Sequence, residues 1–299
     1  MNPPPPLVLG TVQLGMNYGI ANRAGQPGMD LAVDIVKTAW ESDVRYFDTA
    51  QAYGDSERVL GECFKRMSFG NGNEEPAVIS KLDPDIDLSR VEEVLNRVDE
   101  SIERLGQNRL WGLMLHRESS LGYGEKILTQ VARRLKSENK IENFGISVYS
   151  PEKAIEALHM DEIDIVQLPF NVFDQRAFKG GVFRMARERN RKVFVRSVYL
   201  QGFLLLDTNQ VPDELAFSRG ALRKFISIAK DSQTPPKLLA LAFVVQGAHD
   251  AMFVIGSENP EQVSENILLL KKAKEVSLPD LSCLSMDDPR LINPSFWFH

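Results

Sequence analysis

An aspartate, a tyrosine, a lysine and a histidine occupy matching places in the first part of this chain. Arg45-Tyr46-Phe47-Asp48 ends in a carboxylate, and Tyr53 follows five residues later, just before Gly54. Ala77-Val78-Ile79-Ser80-Lys81 ends in an ammonium, and Leu110-Trp111-Gly112-Leu113-Met114-Leu115-His116 in an imidazole. A free phenol has a pKa near ~10, too high to exchange protons readily at neutral pH. A lysine beside it lowers that value, and a carboxylate behind the lysine keeps it charged and in place. The imidazole can hydrogen-bond a substrate oxygen. Together the four groups make a proton donor for a developing alkoxide, which is what reduction of a carbonyl by hydride requires. Taken alone, Lys81 and Asp48 read as a structural ion pair and His116 as a strand-end or pocket residue. Their common register with Tyr53 favours chemistry.

That register exists only if the three runs are parallel strands, since parallel strands bring their C-terminal ends to one place. Strand-like runs recur at residues 7–11, 45–48, 77–81, 110–116, 142–148, 163–168, 193–197 and 252–255. Helical spacing or helix-opening residues separate them. Leu31, Ile35, Val36 and Ala39 mark one helix with Asp30 as its cap, and Asp55-Ser56-Glu57 opens another with Val59, Leu60, Cys63 and Phe64 on one face. Leu88, Val91, Leu95, Val98, Ile102 and Leu105 recur every three or four places, with Gly106 as the natural C-cap. Further helices are expected over 124–138, from Pro151, over 176–189, over 218–230, from Pro236 to Val245 and from Pro260 to about 274. Eight alternating units in this length predict an α/β fold of the closed (β/α)8 TIM-barrel type. The whole span 1–299 reads as one barrel domain, with a Pro-rich arm at 1–6 and a C-terminal tail at 281–299.

The chain has 299 residues, 43% hydrophobic and 25% charged, with a formal charge of -6. That balance argues against nucleic acid or an anionic membrane as the main partner. Cys63 and Cys283 are the only cysteines and have no metal-like spacing, so a reducing cytoplasm is the expected location. Met1-Asn2-Pro3-Pro4-Pro5-Pro6 lacks the basic and apolar parts of a signal peptide, and the run Leu238–Val245 is too short to cross a bilayer. No metal site is expected, and the sequence specifies no oligomer.

With these residues in order, the chain resembles the aldo-keto reductases. Asp48-x4-Tyr53-Gly54, Lys81 and His116 are similar to that family's tetrad. Leu9-Gly10-Thr11 matches its opening strand, Phe144-Gly145-Ile146-Ser147 its fifth, and Val166-Gln167-Leu168-Pro169-Phe170-Asn171 its sixth. Ile255-Gly256-Ser257, then Pro260, Glu265 and Asn266, look like its cofactor-clamping strand and helix. The resemblance implies NADPH, with NADH possible, laid over the barrel mouth, and a small-molecule carbonyl substrate. It implies Tyr53 as general acid, Lys81 lowering its pKa, Asp48 anchoring Lys81 and His116 orienting the carbonyl. Ser147 and Gln167 would hold the carboxamide, Ser257, Glu265 and Asn266 would face the adenosine end, and Gln262 belongs to the same cofactor site. Gly10, Thr11, Arg196, Ser197, Tyr199 and Gly256 complete the expected cofactor site.

Three positions depart from the family's pattern. Val148 stands where an Asn is usual, Ser197 where many members place an aromatic, with Tyr199 nearby, and Gln262 where an Arg often meets the 2'-phosphate. The substrate pocket is expected from loops 117–123 and 201–217 and the tail, with Asn17, Tyr18 and Asn22 in a possible substrate loop. The tail aromatics Phe296-Trp297-Phe298 read as a surface or interface anchor, and His159 and His249 as incidental. Two other readings compete with an active reductase: a cofactor-binding regulatory module of low turnover, and a metal-dependent barrel hydrolase using His116 and Asp48.

Overall fold

The computed structural model describes residues 6–67 and 74–297. Most of the proline arm, the 70–73 turn and Phe298 lie outside them. Eight strands close into one parallel barrel in sequence order. They are β1 (Leu7–Gly10), β2 (Tyr46–Asp48), β3 (Ala77–Lys81), β4 (Leu110–Leu115), β5 (Ile141–Ser147), β6 (Ile165–Pro169), β7 (Lys192–Arg196) and β8 (Met252–Gly256). β1 closes the ring by pairing with both β2 and β8.

Successive strand residues point to opposite faces, and this alternation sorts the core into two layers. Val8, Ile79, Met114, Ile165 and Phe194 form a cluster with Tyr46, Trp111, Met252 and Val254 inside the ring. Their neighbours Leu9, Phe47, Val78, Leu113, Val166, Val195 and Phe253 belong to the larger cluster shared with the helices. Two residues beyond Tyr46, Ile79, Met114, Ile165 and Phe194 come Asp48, Lys81, His116, Gln167 and Arg196. The pleat aims the five strand-end polar residues into the mouth of the barrel.

The helices lie where their apolar spacing placed them, with local differences. The first long helix is Met29–Glu41, capped at Gly28. Asp30 sits inside its first turn and pairs with Arg66, while Ala32 is buried in place of the exposed Leu31. The helix expected from Leu88 begins at Val91 and ends at Gly106, whose φ of 62° is the left-handed cap. The span 176–189 divides into Arg176–Lys179 and Val182–Glu188, because Gly180-Gly181 interrupts it and Gly181 takes φ 74°. A third cluster packs Phe173, Phe203, Phe225 and Trp297 beneath the segment after β7 and the C-terminal tail. Trp297 is therefore an internal anchor: it is 3% exposed and donates from Nε1 to Leu291 O, while Phe296 faces outward. No helix among the described residues is long and apolar enough to cross a membrane.

Candidate active site

The segment carrying Tyr53 is fixed by three hydroxyls and two glycines. Thr11 Oγ1 donates to Asp48 O at 2.9 Å, Thr49 Oγ1 to Ser56 Oγ at 3.0 Å, and Ser56 Oγ to Thr11 O at 2.8 Å. Gln51 N–H continues the ladder to Lys81 O at 3.0 Å. Gly15 and Gly54 let the turn after β1 press directly against this segment. A Cβ on Gly15 would stand 2.0 Å from Tyr53 O, and one on Gly54, at φ 54°, 2.5 Å from Gly15 O.

Behind the phenol lies a buried charge pair. Lys81 Nζ donates to Asp48 Oδ2 at 2.6 Å and to Thr49 O at 3.1 Å, with the two residues 1% and 3% exposed. Gln167 Nε2 donates to the other carboxylate oxygen at 2.7 Å. Lys81 Nζ lies 4.9 Å from the centre of the Tyr53 ring, and the His116 ring meets Tyr53 edge-on at 5.6 Å between centres.

Burial raises the Tyr53 hydroxyl well above the ordinary phenol range, and Asp48 adds to the rise while Arg196 opposes it. The expected lowering by Lys81 is thus not the net result: the ammonium is bound to Asp48 and faces the ring. Lys81 itself is drawn below its usual range by burial, with Asp48 acting the other way. His116 is pushed down to about 3 by burial and by Lys81, Arg196 and Arg117. At neutral pH the site therefore presents a protonated phenol and a neutral imidazole.

A cavity of about 290 Å³ opens over Tyr53 and Asp48. Of the expected site residues, Gly10, Thr11, Gln167, Arg196, Ser197, Tyr199, Gly256, Gln262 and Asn266 also line it. Lys81 and His116 stand behind the lining. Ser147 and Ser257 are buried beside it, with Asn266 Nδ2 donating to Ser257 Oγ at 3.3 Å. Glu265 faces outward and pairs with Lys237, which does reach the cavity. Gln262 Oε1 accepts from Glu258 N at 2.9 Å. Residues 117–123 and the tail contribute nothing to the lining. Glu118 Oε2 instead accepts from Tyr149 N and Ser150 N at 2.8 and 3.0 Å, closing that loop onto the end of β5. Of the expected pocket segments, Tyr18 and Asn22, with Gln201, Gly202 and Leu205 at the start of 201–217, do line the cavity. Gln13, Lys237 and Glu258 also line the cavity and carried no recognisable spacing in the sequence.

Six buried side-chain polar atoms of the described residues have no hydrogen-bond partner: Gln13 Oε1, His116 Nδ1, Tyr199 Oη, Asn266 Oδ1, Arg191 Nε and Arg219 Nε. The first four belong to this site. Buried polar groups are normally paired, so their concentration around one cavity marks it as built for a polar ligand. The donors and acceptors suit a dinucleotide cofactor.

A parallel barrel with a polar site at the C-terminal ends of its strands has the layout of a TIM-barrel enzyme. The sequence profile of the Aldo/keto reductase family matches residues 6–277, and the chain belongs to that family of oxidoreductases. It is 24% identical over 295 residues to D-threo-aldose 1-dehydrogenase of a Pseudomonas species, covering 84% of this chain and 87% of that one. It is 23% identical over 288 residues to a putative voltage-gated potassium channel subunit beta of Schizosaccharomyces pombe, covering 81% and 80%. The solved structure of an aldo-keto reductase from Bacillus halodurans, in its holo form, superposes with a TM-score of 0.72 at 19% identity, over 93% of this chain and 91% of that one.

Proposed function

We propose that this protein catalyses the NAD(P)H-dependent reduction of an aldehyde or ketone to an alcohol, with Tyr53 as the proton donor, as a single barrel domain in the cytoplasm. One observation carries the reading: Tyr53 reaches the same cavity as Asp48 and Gln167, with the buried Lys81 and the half-buried His116 against its ring. When bound, the nicotinamide cofactor supplies the hydride. The Tyr53 hydroxyl, held protonated by burial, gives its proton to the carbonyl oxygen as charge develops there. Neutral His116, with Nδ1 unpartnered, orients that oxygen. Lys81 places a positive charge beneath the developing phenolate, and Asp48 with Gln167 keeps it there.

Gln13, Tyr199, Gln262 and Asn266 are the residues we assign to the cofactor's polar groups. Gln262 brings no charge to a 2'-phosphate, and Lys237 is tied to Glu265. We therefore expect NADPH to bind more tightly than NADH by a narrow margin. The channel-subunit relative favours a second reading, a cofactor-binding regulatory module of low turnover. The metal-hydrolase reading has no support, since no three His, Cys, Asp or Glu side chains converge among the described residues.

Tyr53→Phe tests the assignment. Reduction of a carbonyl panel should fall by about 10²–10⁴-fold, the usual contribution of a general acid, while a fluorescence titration shows NADPH bound as before. Unchanged turnover with normal binding would remove Tyr53 from the role. Tight cofactor binding with no turnover by the unmodified protein would favour the regulatory module.

A further inference from the structure

Arg196 occupies the inward strand-end position of β7, the counterpart of Asp48 on β2 and Lys81 on β3, and it lines the same cavity as Tyr53. It is the one partly buried arginine of the described residues that makes no ion pair. Arg23, Arg189 and Arg223 also make none, but all three are exposed. Two carboxylates near it are engaged elsewhere: Asp48 with Lys81 and Gln167, and Glu118 with the backbone of residues 149 and 150, while Glu258 of the same cavity makes no ion pair with it. A guanidinium carries five donors. Two are used, Nη2 to Val148 O at 3.2 Å and Nη1 to Ser197 Oγ at 3.4 Å.

The guanidinium is also held in place. Its Cζ lies 4.0 Å from the centre of the Tyr149 ring, which supports one of its faces. The segment that follows is strained: Ser197, Leu200 and Gln201 have φ of 57°, 49° and 53°, in the left-handed region that side chains rarely adopt. Asn171 Nδ2 holds Ser197 O at 3.1 Å, and Ile20 N holds Gln201 O at 3.0 Å. Strain of this kind persists where surrounding contacts over-determine it, and it clusters at functional sites. The second of these contacts docks the loop against the segment bearing Tyr18, so that Tyr18 and Arg196 line the cavity together beside Tyr53.

We infer that Arg196 receives a carboxylate of the substrate, so that the carbonyl compounds this protein prefers are oxo acids or aldehydes bearing a carboxylate. A planar guanidinium with spare donors matches a carboxylate in two-pronged fashion, and a lysine does not. This specificity rests on the reductase reading, and the experiment separates the two.

Matched pairs of substrates, glyoxylate with acetaldehyde and succinic semialdehyde with butanal, are compared by kcat/KM in the unmodified protein, Arg196→Gln and Arg196→Lys. The unmodified protein should prefer one or both carboxylate-bearing partners by about 10–100-fold, the range of a hydrogen bond to a charged group. That preference should collapse in Arg196→Gln and survive in part in Arg196→Lys. Independently of turnover, succinate binding measured by calorimetry in the presence of NADPH should weaken at least tenfold in Arg196→Gln. A preference ratio and a succinate affinity that are the same in all three proteins overturn the inference. So does a loss confined to NADPH affinity, which would make Arg196 a cofactor residue. If no carbonyl is reduced, the reductase reading fails, and the succinate titration still decides the role of Arg196.

Discussion

Asp48→Asn removes one charge from the most deeply buried ion pair of the site with almost no change in shape. The carboxylate accepts from Lys81 Nζ at 2.6 Å and from Gln167 Nε2 at 2.7 Å. Asn can keep one acceptor toward Lys81, and a rotated Gln167 amide can meet its NH2, so both hydrogen bonds are geometrically recoverable. What is lost is the countercharge of an ammonium that is 1% exposed. Breaking a buried pair in this way costs about 3–5 kcal/mol. The escape route is deprotonation of Lys81, and holding a lysine of ordinary pKa neutral at pH 7 costs about 4.6 kcal/mol. The two routes agree, so a loss of this size is expected in urea unfolding at pH 7.

The pH dependence identifies the cause. In the variant, Lys81 is neutral when folded, with its pKa depressed below the unfolded value. Between those two pKa values the unfolded chain binds the extra proton, so stability rises with pH by about 1.4 kcal/mol per unit up to roughly pH 10. Adding Lys81→Met should flatten that slope and recover part of the loss. A cost below about 1 kcal/mol, or a slope no steeper than that of the unmodified protein, would refute the account of Lys81 as a desolvated charge held by Asp48.

His116 supplies a second pH signature. Its folded pKa is about 3 against an ordinary 6.5, so the folded protein resists protonation and stability falls as pH drops through that window. His116→Gln should make the stability–pH curve measurably flatter there in chemical unfolding, and an identical curve would deny the burial of a neutral imidazole. Gly15→Ala would bring a Cβ to 2.0 Å from Tyr53 O and 2.3 Å from Ser56 N. Backbone must move, so thermal unfolding should show a loss of about 1–3 kcal/mol or more, with turnover falling alongside. Gly220→Ala, within the helix Arg219–Asp231 and with nothing inside 4 Å, should instead stabilise by about 0.5–1 kcal/mol.

How much of this was legible in the sequence follows from which contacts are local. The eight strands were readable because each is a short apolar run bounded by turn or helix signals, and the period-two pleat then fixes which strand-end residue faces inward. Asp48, Lys81, His116 and Gln167 obey that rule. Boundaries decided by a competing partner were less readable: Asp30 leaves the cap for Arg66, and Gly180-Gly181 divides a helix that its apolar spacing would have continued.

The cavity wall was least readable, because it depends on contacts between segments far apart in the chain. Residues 117–123 carry suitable polar groups, yet Glu118 folds them onto the backbone after β5, and of the expected segments only Tyr18 and Asn22 and the start of 201–217 reach the cavity. Tyr18 gets there because Gly202, at φ 91°, passes within 2.6 Å of Ala21 for any added Cβ, and Gln201 O takes the Ile20 N–H. Nothing in the spacing of residues 17–22 or 197–202 announces that pairing. Arg196 shows the same limit from the other side. Its sequence position places it at a strand end, but only the three-dimensional disposition of Asp48, Glu118 and Tyr149 reveals a guanidinium with donors to spare beside the phenol. The strand-end positions of the site were thus readable from the spacing, and the docking of two loops across the barrel mouth was not.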